Sequence, residues 1–209
     1  MNNNEKNKVK ITGEIIDDFA FSHEMYGEKF YTVNVRVNRS SDTCDIIPIM
    51  ISERIIDISS DCNGKYLCIS GQFRSFNKHE EDKNRLELHV FAQDIEFLED
   101  CAIYNENYIE LEGFVCKDTV YRQTPLGREI ADIILAVNRP YGKCDYIPCI
   151  CWGRNARFAN DFEVGTNVRI EGRIQSRNYI KKFKDGNTEE RTAYEVSISN
   201  MGIVIDQED

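Results

Sequence analysis

The chain has 209 residues, of which 41% are hydrophobic and 30% are charged, and its formal net charge is −10. This composition is typical of a folded protein of one or two domains and excludes disordered and collagen-like chains. No apolar run approaches the roughly 18 residues of a membrane-spanning helix, and the start, MNNNEKNKVK, lacks the apolar core of a signal peptide. We therefore expect a cytoplasmic protein with no membrane association. Because the total charge is acidic, any contact with nucleic acid needs a local basic patch.

The cysteines do not follow the spacing of a metal site. No CxxC pair is present, and the three histidines lie in the first half of the chain, far in sequence from the tightest cysteine group. A disulfide framework is typical of short secreted chains, which this chain does not resemble. We expect no cofactor or metal and reduced thiols that are mostly buried, because free cysteine behaves as a small hydrophobe. The eight are Cys44, Cys62, Cys68, Cys101, Cys116, Cys144, Cys149 and Cys151.

The two halves of the chain repeat each other. Residues 9–51 align with 109–151 without a gap, and ten of the 43 positions are identical, where about three are expected by chance. After one inserted residue the match resumes at Gly64/Gly165 and Gly71/Gly172. A period of about 100 residues is too long for a solenoid and suits two copies of a small domain. We predict domains at residues 8–99 and 107–205, joined by the polar stretch 99–107.

Each copy is predicted to contain five strands and one short helix. In the second copy, apolar patterns predict strands over 108–116, 128–138, 145–152, 167–175 and 191–199, a helix over 156–162, and an Asp-Gly hairpin turn at 184–187. Gly113 and Gly172 fall inside strand patterns, as at the tight bends of a barrel. Three strands, a helix and two strands match the OB-fold, although periodicity alone does not separate it from other small barrels. We therefore expect an all-β protein of two tandem OB-fold five-stranded Greek-key barrels, with a short helix per repeat.

Five segments of the second copy form a recognisable pattern. They are NYIELEGFVCKD, TPLGRE, LAVNRPYGKCDYIPCICWGR, VGTNVRIEGRIQSRNYIKKFKDGN and TAYEVSISNMGIV, and they cover nearly all of residues 107–204. In these segments the chain resembles the bacterial single-stranded DNA-binding protein family. The resemblance implies non-enzymatic, sequence-independent binding of single-stranded DNA in DNA replication, recombination or repair. It also implies an assembly of four barrels, and hence a homodimer of this two-barrel chain.

Four aromatic residues of the second copy stand where the family has its base-stacking rings: Tyr141, Tyr146, Trp152 and Tyr179. Alternation along a strand places Tyr146, Ile150 and Trp152 on one face and the smaller Ile147, Cys149 and Cys151 on the other. The small residues suit a barrel interior, which leaves the two large rings outside. Strand aromatics often pack in cores instead. Four matching positions together favour stacking on bases, which is how single strands are bound without sequence preference.

A basic track accompanies these aromatics. Residues 169–191 hold seven basic and four acidic side chains, inside a chain whose net charge is −10. Alternation places Arg169 and Arg173 on one face. A charged hairpin is common on protein surfaces, but beside the aromatics it becomes the expected phosphate track. The predicted contacts are Arg173, Arg177, Lys181, Lys182 and Lys184, extended by Arg139, Arg128 and Arg122.

The first copy departs from this pattern. At the four aligned positions it has Ser41, Ile46, Ser52 and Lys78, none of which is aromatic. Residues 1–100 carry 12 basic and 19 acidic side chains, against 14 and 17 in the rest of the chain. Phe73, Phe76 and Tyr31 could stack, but no alignment assigns them that role. We predict that the second copy binds DNA and that the first is degenerate, with a role in assembly or protein contact; weaker DNA binding by the first copy stays open.

The remaining motifs indicate no enzyme. The sequence contains no GxxxxGK[ST] loop, no HExxH motif and no convincing Ser-His-Asp set. Asp45 and Asp145 are repeated, but each precedes a strand, where turn chemistry explains an aspartate. Family members usually continue into a flexible acidic tail that recruits replication and repair proteins. Only residues 205–209 follow the last predicted strand, so recruitment through such a tail is not expected here.

Two alternatives to DNA binding stay open. The chain could be an OB-fold protein-interaction module of a replication complex with weak or no DNA binding, which its acidic charge favours. It could also bind RNA, because stacking on aromatic rings does not by itself select the sugar. Titration with matched oligonucleotides distinguishes these readings.

Overall fold

The computed structural model describes residues 6–41, 43–80, 83–99, 106–183 and 186–205, and within them all side chains except those of 78–80 and 83–85. Within the described residues, twelve strands form one continuous sheet in the order β2-β3-β4-β6-β5-β1-β7-β11-β12-β10-β9-β8. The strands are β1 Asn7–Ile15, β2 Ala20–Met25, β3 Glu28–Asn38, β4 Cys44–Ser52, β5 Tyr66–Glu80, β6 Lys83–Leu98, β7 Asn107–Val115, β8 Val120–Gln123, β9 Glu129–Asn138, β10 Cys144–Trp152, β11 Asn167–Lys182 and β12 Thr188–Ile203. The part of the chain that the structure describes has one α-helix, α1 at Arg154–Asn160, which follows β10.

Each half of the sheet curls into a barrel. In the first half, β1 pairs with β5 on one side and with β3 on the other, and β4 joins β6 through a short parallel pairing. The second half repeats this arrangement: β7 pairs with β11 and β9, and β10 runs parallel to β12. Two tandem OB-fold barrels of mostly antiparallel strands confirm the predicted fold class. The predicted domain limits, 8–99 and 107–205, stay a prediction, and most of the predicted junction, at 100–105, lies outside the described residues.

The two barrels meet along an antiparallel strand pair. In it, β1 and β7 are paired from Asn7↔Leu111 to Ile11↔Asn107. Two equivalent asparagines reinforce this seam: Asn7 exchanges hydrogen bonds with the backbone of Phe73, and Asn107 does so with the backbone of Ile174. The repeats are therefore related by a pseudo-twofold axis, because β1 pairs with β5 and β3 in the first barrel as β7 pairs with β11 and β9 in the second.

Alternation explains which residues fill the barrels. On β10, Ile147, Cys149 and Cys151 are buried and belong to the hydrophobic core, as predicted. Burial raises the pKa of Cys151 to about 12 and that of Cys149 well above its usual value, so both thiols stay protonated at neutral pH. Not every thiol is buried, since Cys44 is exposed and Cys68, Cys116 and Cys144 are partly exposed. Cys101 lies outside the described residues.

The prediction of one helix per repeat is wrong for the first barrel. The helix α1 places Ala156 and Ala159 against the core, whereas the described residues 53–60 form turns. In that segment Asp57 accepts hydrogen bonds from the amide of Ser59 and from the hydroxyls of Ser59 and Ser60. Such local side-chain bonds compete with helical backbone bonds.

The predicted count of five strands per barrel misses one short strand in each. Strands β2 and β8 form hairpins with β3 and β9 at the two ends of the sheet, and every residue in both is exposed. A strand without a buried face gives no alternating apolar pattern, so periodicity does not detect it. Long arms also extend β11 and β12 seven and four residues beyond the predicted limits, to Lys182 and Ile203.

Gly172 marks a strand irregularity, as its place in a strand pattern predicts. The β11–β12 register shifts between Glu171 and Gly172, and a Cβ on Gly172 would lie 2.3 Å from the carbonyl oxygen of Ser197. The equivalent Gly71 stands at the same shift in the first barrel. Close approach of two backbones requires glycine at both positions.

The described residues contain neither a membrane-spanning helix nor a metal-binding cluster. No helix in these ranges is long and apolar enough to cross a membrane. Within the same ranges, no group of three or more His, Cys, Asp or Glu side chains could hold a metal ion.

Candidate nucleic-acid interface

The outer face of the second barrel is defined by a row of paired residues. Arg173 of β11 lies opposite Ser197 of β12, which lies beside Ile150 of β10, which lies opposite Asp132 of β9. Paired residues share a face of a sheet, and so do alternate residues along a strand. Tyr146 and Trp152 therefore lie on this face through β10, and Arg177, Tyr179 and Lys181 lie on it through β11. We call this surface the outer face of the second barrel.

Three of the predicted stacking rings are exposed on this face. Tyr146, Trp152 and Tyr179 have exposed fractions of 44%, 41% and 37%. Ile150 lies between the first two and is buried, so it forms an apolar floor between the rings. Large rings that are held by strands and half open to solvent can receive the flat faces of bases.

Tyr141 is placed differently from the other rings. It lies in the 3₁₀ turn Pro140–Gly142, between β9 and β10, and is 99% exposed. Its φ of 64° is in the left-handed region, which non-glycine residues seldom adopt. The turn therefore holds this ring entirely in solvent beside the start of β10.

The long β11–β12 arm carries cations next to its aromatic rings. The guanidinium of Arg177 lies 6.0 Å from the centroid of the Tyr179 ring, and Lys181 Nζ lies 5.3 Å from that of Phe183. Lys182 is exposed on the opposite side of the same strand. The phosphate track along the arm stays a prediction. Lys184, the last predicted contact of the arm, lies outside the described residues.

The other predicted basic residues differ in how they are engaged. Arg128 is exposed at the turn of the β8–β9 hairpin. Arg122 forms an ion pair with Asp132, on the same face as Ile150. Arg169 does not belong to this surface: it binds Glu112 of β7 at 2.7 Å, on the other side of the irregularity at Gly172.

Arg173 and Arg139 lie at the contacts between the barrels. Arg173 Nη1 lies 3.6 Å from the carboxylate of Asp45 in the first barrel, and its Nη2 donates to Gln175 at 3.0 Å. Arg139 Nε lies 3.2 Å from the carboxylate of Asp145. Both side chains therefore have a structural partner in addition to any phosphate they contact.

The interpretation of the two repeated aspartates as turn residues is wrong. Asp45 and Asp145 are fully buried, and each binds a serine of the other barrel. The amide of Ser176 donates to Asp45 at 2.6 Å, and the amide of Ser75 donates to Asp145 at 2.8 Å. The sequence contains the signal, because Arg39/Arg139, Asp45/Asp145 and Ser75/Ser176 are all identical between the repeats.

The pKa values of Asp45 and Asp145 shift in opposite directions. Burial raises the pKa of Asp45, but hydrogen bonds from Arg39 at 2.7 and 2.5 Å and from Ser176 outweigh it, so the net shift is downward. Burial also raises the pKa of Asp145, and there the bonds from Ser75 and the charge of Arg139 only partly offset it. Asp45 is therefore the better-compensated carboxylate.

The first barrel has aromatic residues on its outer face at positions that alignment with the second barrel does not identify. Phe91 occupies the place of Ser197, and Phe30 that of Ile130. The guanidinium of Arg74 covers the ring of Phe91 at 3.9 Å from the centroid, and Phe30 stacks on His23 with centroids 5.0 Å apart. The ring faces of Phe30 and Phe91 are therefore covered by neighbouring side chains, whereas the rings of the second barrel's outer face are exposed.

The second barrel is similar in sequence to known proteins. The model of the single-strand binding protein family matches residues 106–204. The second barrel is therefore similar to the single-strand binding protein family. A single-stranded DNA-binding protein of Oceanobacillus iheyensis is 37% identical over 89 residues, which are 39% of this chain and 54% of that protein. Single-stranded DNA-binding protein A of Bacillus subtilis is 38% identical over 80 residues, 35% of this chain and 46% of that protein. This chain thus spans about half the length of the curated relatives it matches.

The single-strand binding family match covers one barrel, but the fold likeness covers both. The wild-type single-stranded DNA binding protein from Thermus aquaticus superposes with a TM-score of 0.78 over 97% of this chain and 95% of its own, at 16% identity. At that identity the likeness concerns the fold alone. It extends the two-barrel architecture to the first repeat.

Proposed function

We propose that this chain binds single-stranded DNA without sequence preference and without catalysis, mainly through the outer face of its second barrel. The observation that carries the proposal is the set of open rings on that face, Tyr146, Trp152 and Tyr179, beside the cations Arg177 and Lys181. Stacking on aromatic rings tolerates any base, and the cations follow the phosphates. Tyr141, Lys182, Lys184, Arg128, Arg122, Arg139 and Arg173 complete the proposed contacts. The match of residues 106–204 to the single-strand binding protein family model supports this proposal.

The proposal includes a division of labour. The second barrel is the principal binding surface, and the first barrel serves mainly to hold the assembly. Support comes from the first barrel's outer face, where the rings of Phe30 and Phe91 are covered by His23 and Arg74. Ser52, at the position of Trp152, is buried and bonded to Glu28.

We propose a cytoplasmic homodimer of four barrels that acts in DNA replication, recombination or repair. The outer side of the central strands offers a surface for dimerisation, on which Tyr108 of β7 is partly exposed beside Lys10 of β1. Sedimentation of the pure protein tests this assembly. A monomer at micromolar concentration contradicts the dimer while leaving DNA binding open.

Trp152 provides a direct test of DNA binding, because it is the single tryptophan of the chain. A base that stacks on its ring changes its fluorescence, so titration with oligo-dT at low salt should quench the emission and high salt should reverse it. No quenching and no binding at low salt overturns the proposal and favours the protein-interaction module that the acidic charge suggests. Competition between matched DNA and RNA oligonucleotides decides between the two nucleic acids.

A further inference from the structure

A contact between the barrels brings strand β5 of the first barrel to the beginning of the second barrel's outer face. The amide of Ser75 donates to Asp145 Oδ1 at 2.8 Å, and Ser75 Oγ accepts the amide of Tyr146, also at 2.8 Å. Phe76 follows Ser75 directly on β5. One exposed aromatic residue of the first barrel thus lies next in sequence to a residue in contact with Tyr146.

The ring of Phe76 is open and belongs to the first barrel's outer face. Alternation along β5 places Phe76 on the same face as Gln72 and Arg74, and Gln72 is paired with Phe91 on that face. Phe76 is 58% exposed, more than any of the three strand-borne rings of the second barrel's outer face. Phe91, by contrast, is covered by Arg74. Among these first-barrel rings, Phe76 is the one whose face is available.

The charge at this contact does not oppose a phosphate backbone. Arg74 and Arg139 both act on the carboxylate of Asp145, so the two cations exceed the one buried anion. Burial, followed by the charge of Arg74, lowers the pKa of His89 to about 4, so His89 is neutral at pH 7. Glu87, opposite Phe76 on β6, is the acidic residue that faces the ring. The net charge of the named groups around Ser75 is therefore not negative, in contrast to the acidic chain as a whole.

We propose that Phe76 is a further base-stacking residue of the single-strand interface, contributed by the first barrel. A strand bound at Tyr146 would cross the Ser75–Asp145 contact and place a following base on Phe76. This inference rests on the proposed function, because it extends the same surface. The occupant is single-stranded DNA, since Ser75, the neighbour of Phe76, contacts Tyr146 of the proposed interface and two guanidinium groups, those of Arg74 and Arg139, act on the carboxylate at this contact. The first barrel then shares in DNA binding only through Phe76, next to its contact with the second barrel.

Substitution of Phe76 tests this inference with a matched control. Phe76→Ala should weaken oligo-dT binding about five- to 150-fold, the range of one lost stacking ring. Phe76→Leu, which keeps an apolar side chain but removes the ring face, should lose nearly as much. Phe21→Ala removes a ring of equal exposure, 59%, from the edge strand β2 and should bind like the unmodified chain. Thermal unfolding of all three variants verifies that they are folded.

Photo-crosslinking gives a positional readout that does not depend on the variants. An oligonucleotide containing 5-iodo-deoxyuridine should crosslink to the peptide containing Phe76 as well as to the peptide containing Trp152. Unchanged affinity of Phe76→Ala, equal losses in Phe76→Ala and Phe21→Ala, or a crosslink confined to second-barrel peptides overturns the inference. Absence of any binding by the unmodified chain overturns the proposed function itself, so the two failures are distinguishable.

Discussion

The carboxylate of Asp45 in the first barrel accepts hydrogen bonds from both the amide and the hydroxyl of Ser176 in the second, at 2.6 and 3.1 Å. The equivalent pair, Asp145 and Ser75, makes the same two bonds at 2.8 and 3.4 Å. The barrels are therefore joined by two buried carboxylates in addition to the β1–β7 pairing. Each carboxylate is the second residue of its strand and directly precedes a residue of the outer face, Ile46 or Tyr146, so barrel docking also holds the beginnings of β4 and β10.

Asp45 and Asp145 should respond differently to substitution. Asp45→Asn should lower the free energy of unfolding at pH 7 by about 1.5–3 kcal/mol, because the ionised carboxylate accepts charged hydrogen bonds from Arg39. Asp145→Asn should lower it less, since burial dominates there and disfavours the ionised form. Chemical denaturation of both variants measures the difference. Equal losses would contradict the difference in charge compensation between the two sites.

The same aspartates predict opposite pH dependences. The folded-state pKa of Asp45 is lowered, so its stabilising contribution is present above the usual carboxyl pKa and is lost as the pH falls through the folded pKa. The folded-state pKa of Asp145 is raised, so its protonation favours folding as the pH falls into the carboxyl range. The stability gap between the unmodified chain and Asp45→Asn should therefore narrow below about pH 4. For Asp145→Asn, unfolding curves recorded between neutral and acid pH should not show that narrowing.

Trp152→Ala should weaken single-strand binding by about 1–3 kcal/mol while leaving the fold intact, because the ring is partly exposed on the outer face. Its counterpart Ser52→Ala should leave binding unchanged. Ser52→Ala should still lower the free energy of unfolding by about 1 kcal/mol. The Ser52 hydroxyl donates a hydrogen bond to Glu28 and accepts one from the amide of Arg54, and both are lost. Anisotropy of labelled oligo-dT measures both affinities. Equal losses of binding from the two substitutions would contradict the division of labour.

Binding should depend on salt through the arm of β11. Each phosphate contact contributes about −0.7 to the log–log slope of affinity against salt for a single strand. Lys181→Gln and Lys182→Gln should each make the slope shallower by about that amount. Lys65→Gln, next to Phe97 in the first barrel, is the matched charge removal and should leave it unchanged. If Lys181→Gln and Lys182→Gln leave the salt slope as unchanged as Lys65→Gln does, the arm does not contact phosphates.

Gly172→Ala should destabilise the second barrel by about 1–3 kcal/mol, because the added Cβ would lie 2.3 Å from the carbonyl oxygen of Ser197. Gly202→Ala is the control on β12, where nothing lies within 4 Å of an added Cβ. Thermal unfolding compares the two variants. A Gly172→Ala protein as stable as Gly202→Ala would show that the register shift relaxes freely.

Much of the candidate site follows from local pattern. The period-two alternation of β10 predicts that Ile147, Cys149 and Cys151 are inside and that Tyr146 and Trp152 are outside, and the structure agrees. Alternation fails where a strand has no buried face, as in β2, or where side-chain bonds replace a helix, as at Asp57. It also gives no information on which basic residues are already paired, and Arg122, Arg139 and Arg173 all have carboxylate neighbours.

The sequence by itself determined the internal repeat and which residues of β10 face outward, because each depends on residue spacing within a strand or on identity between the halves. Only the tertiary structure decided how the halves are joined. Asp45 and Ser176 are 131 residues apart, and Asp145 and Ser75 are 70 apart, so no local pattern links them. A buried carboxylate needs hydrogen-bond donors, and here the docking of the two barrels supplies them. That docking is also what places Phe76 of one barrel next to Tyr146 of the other.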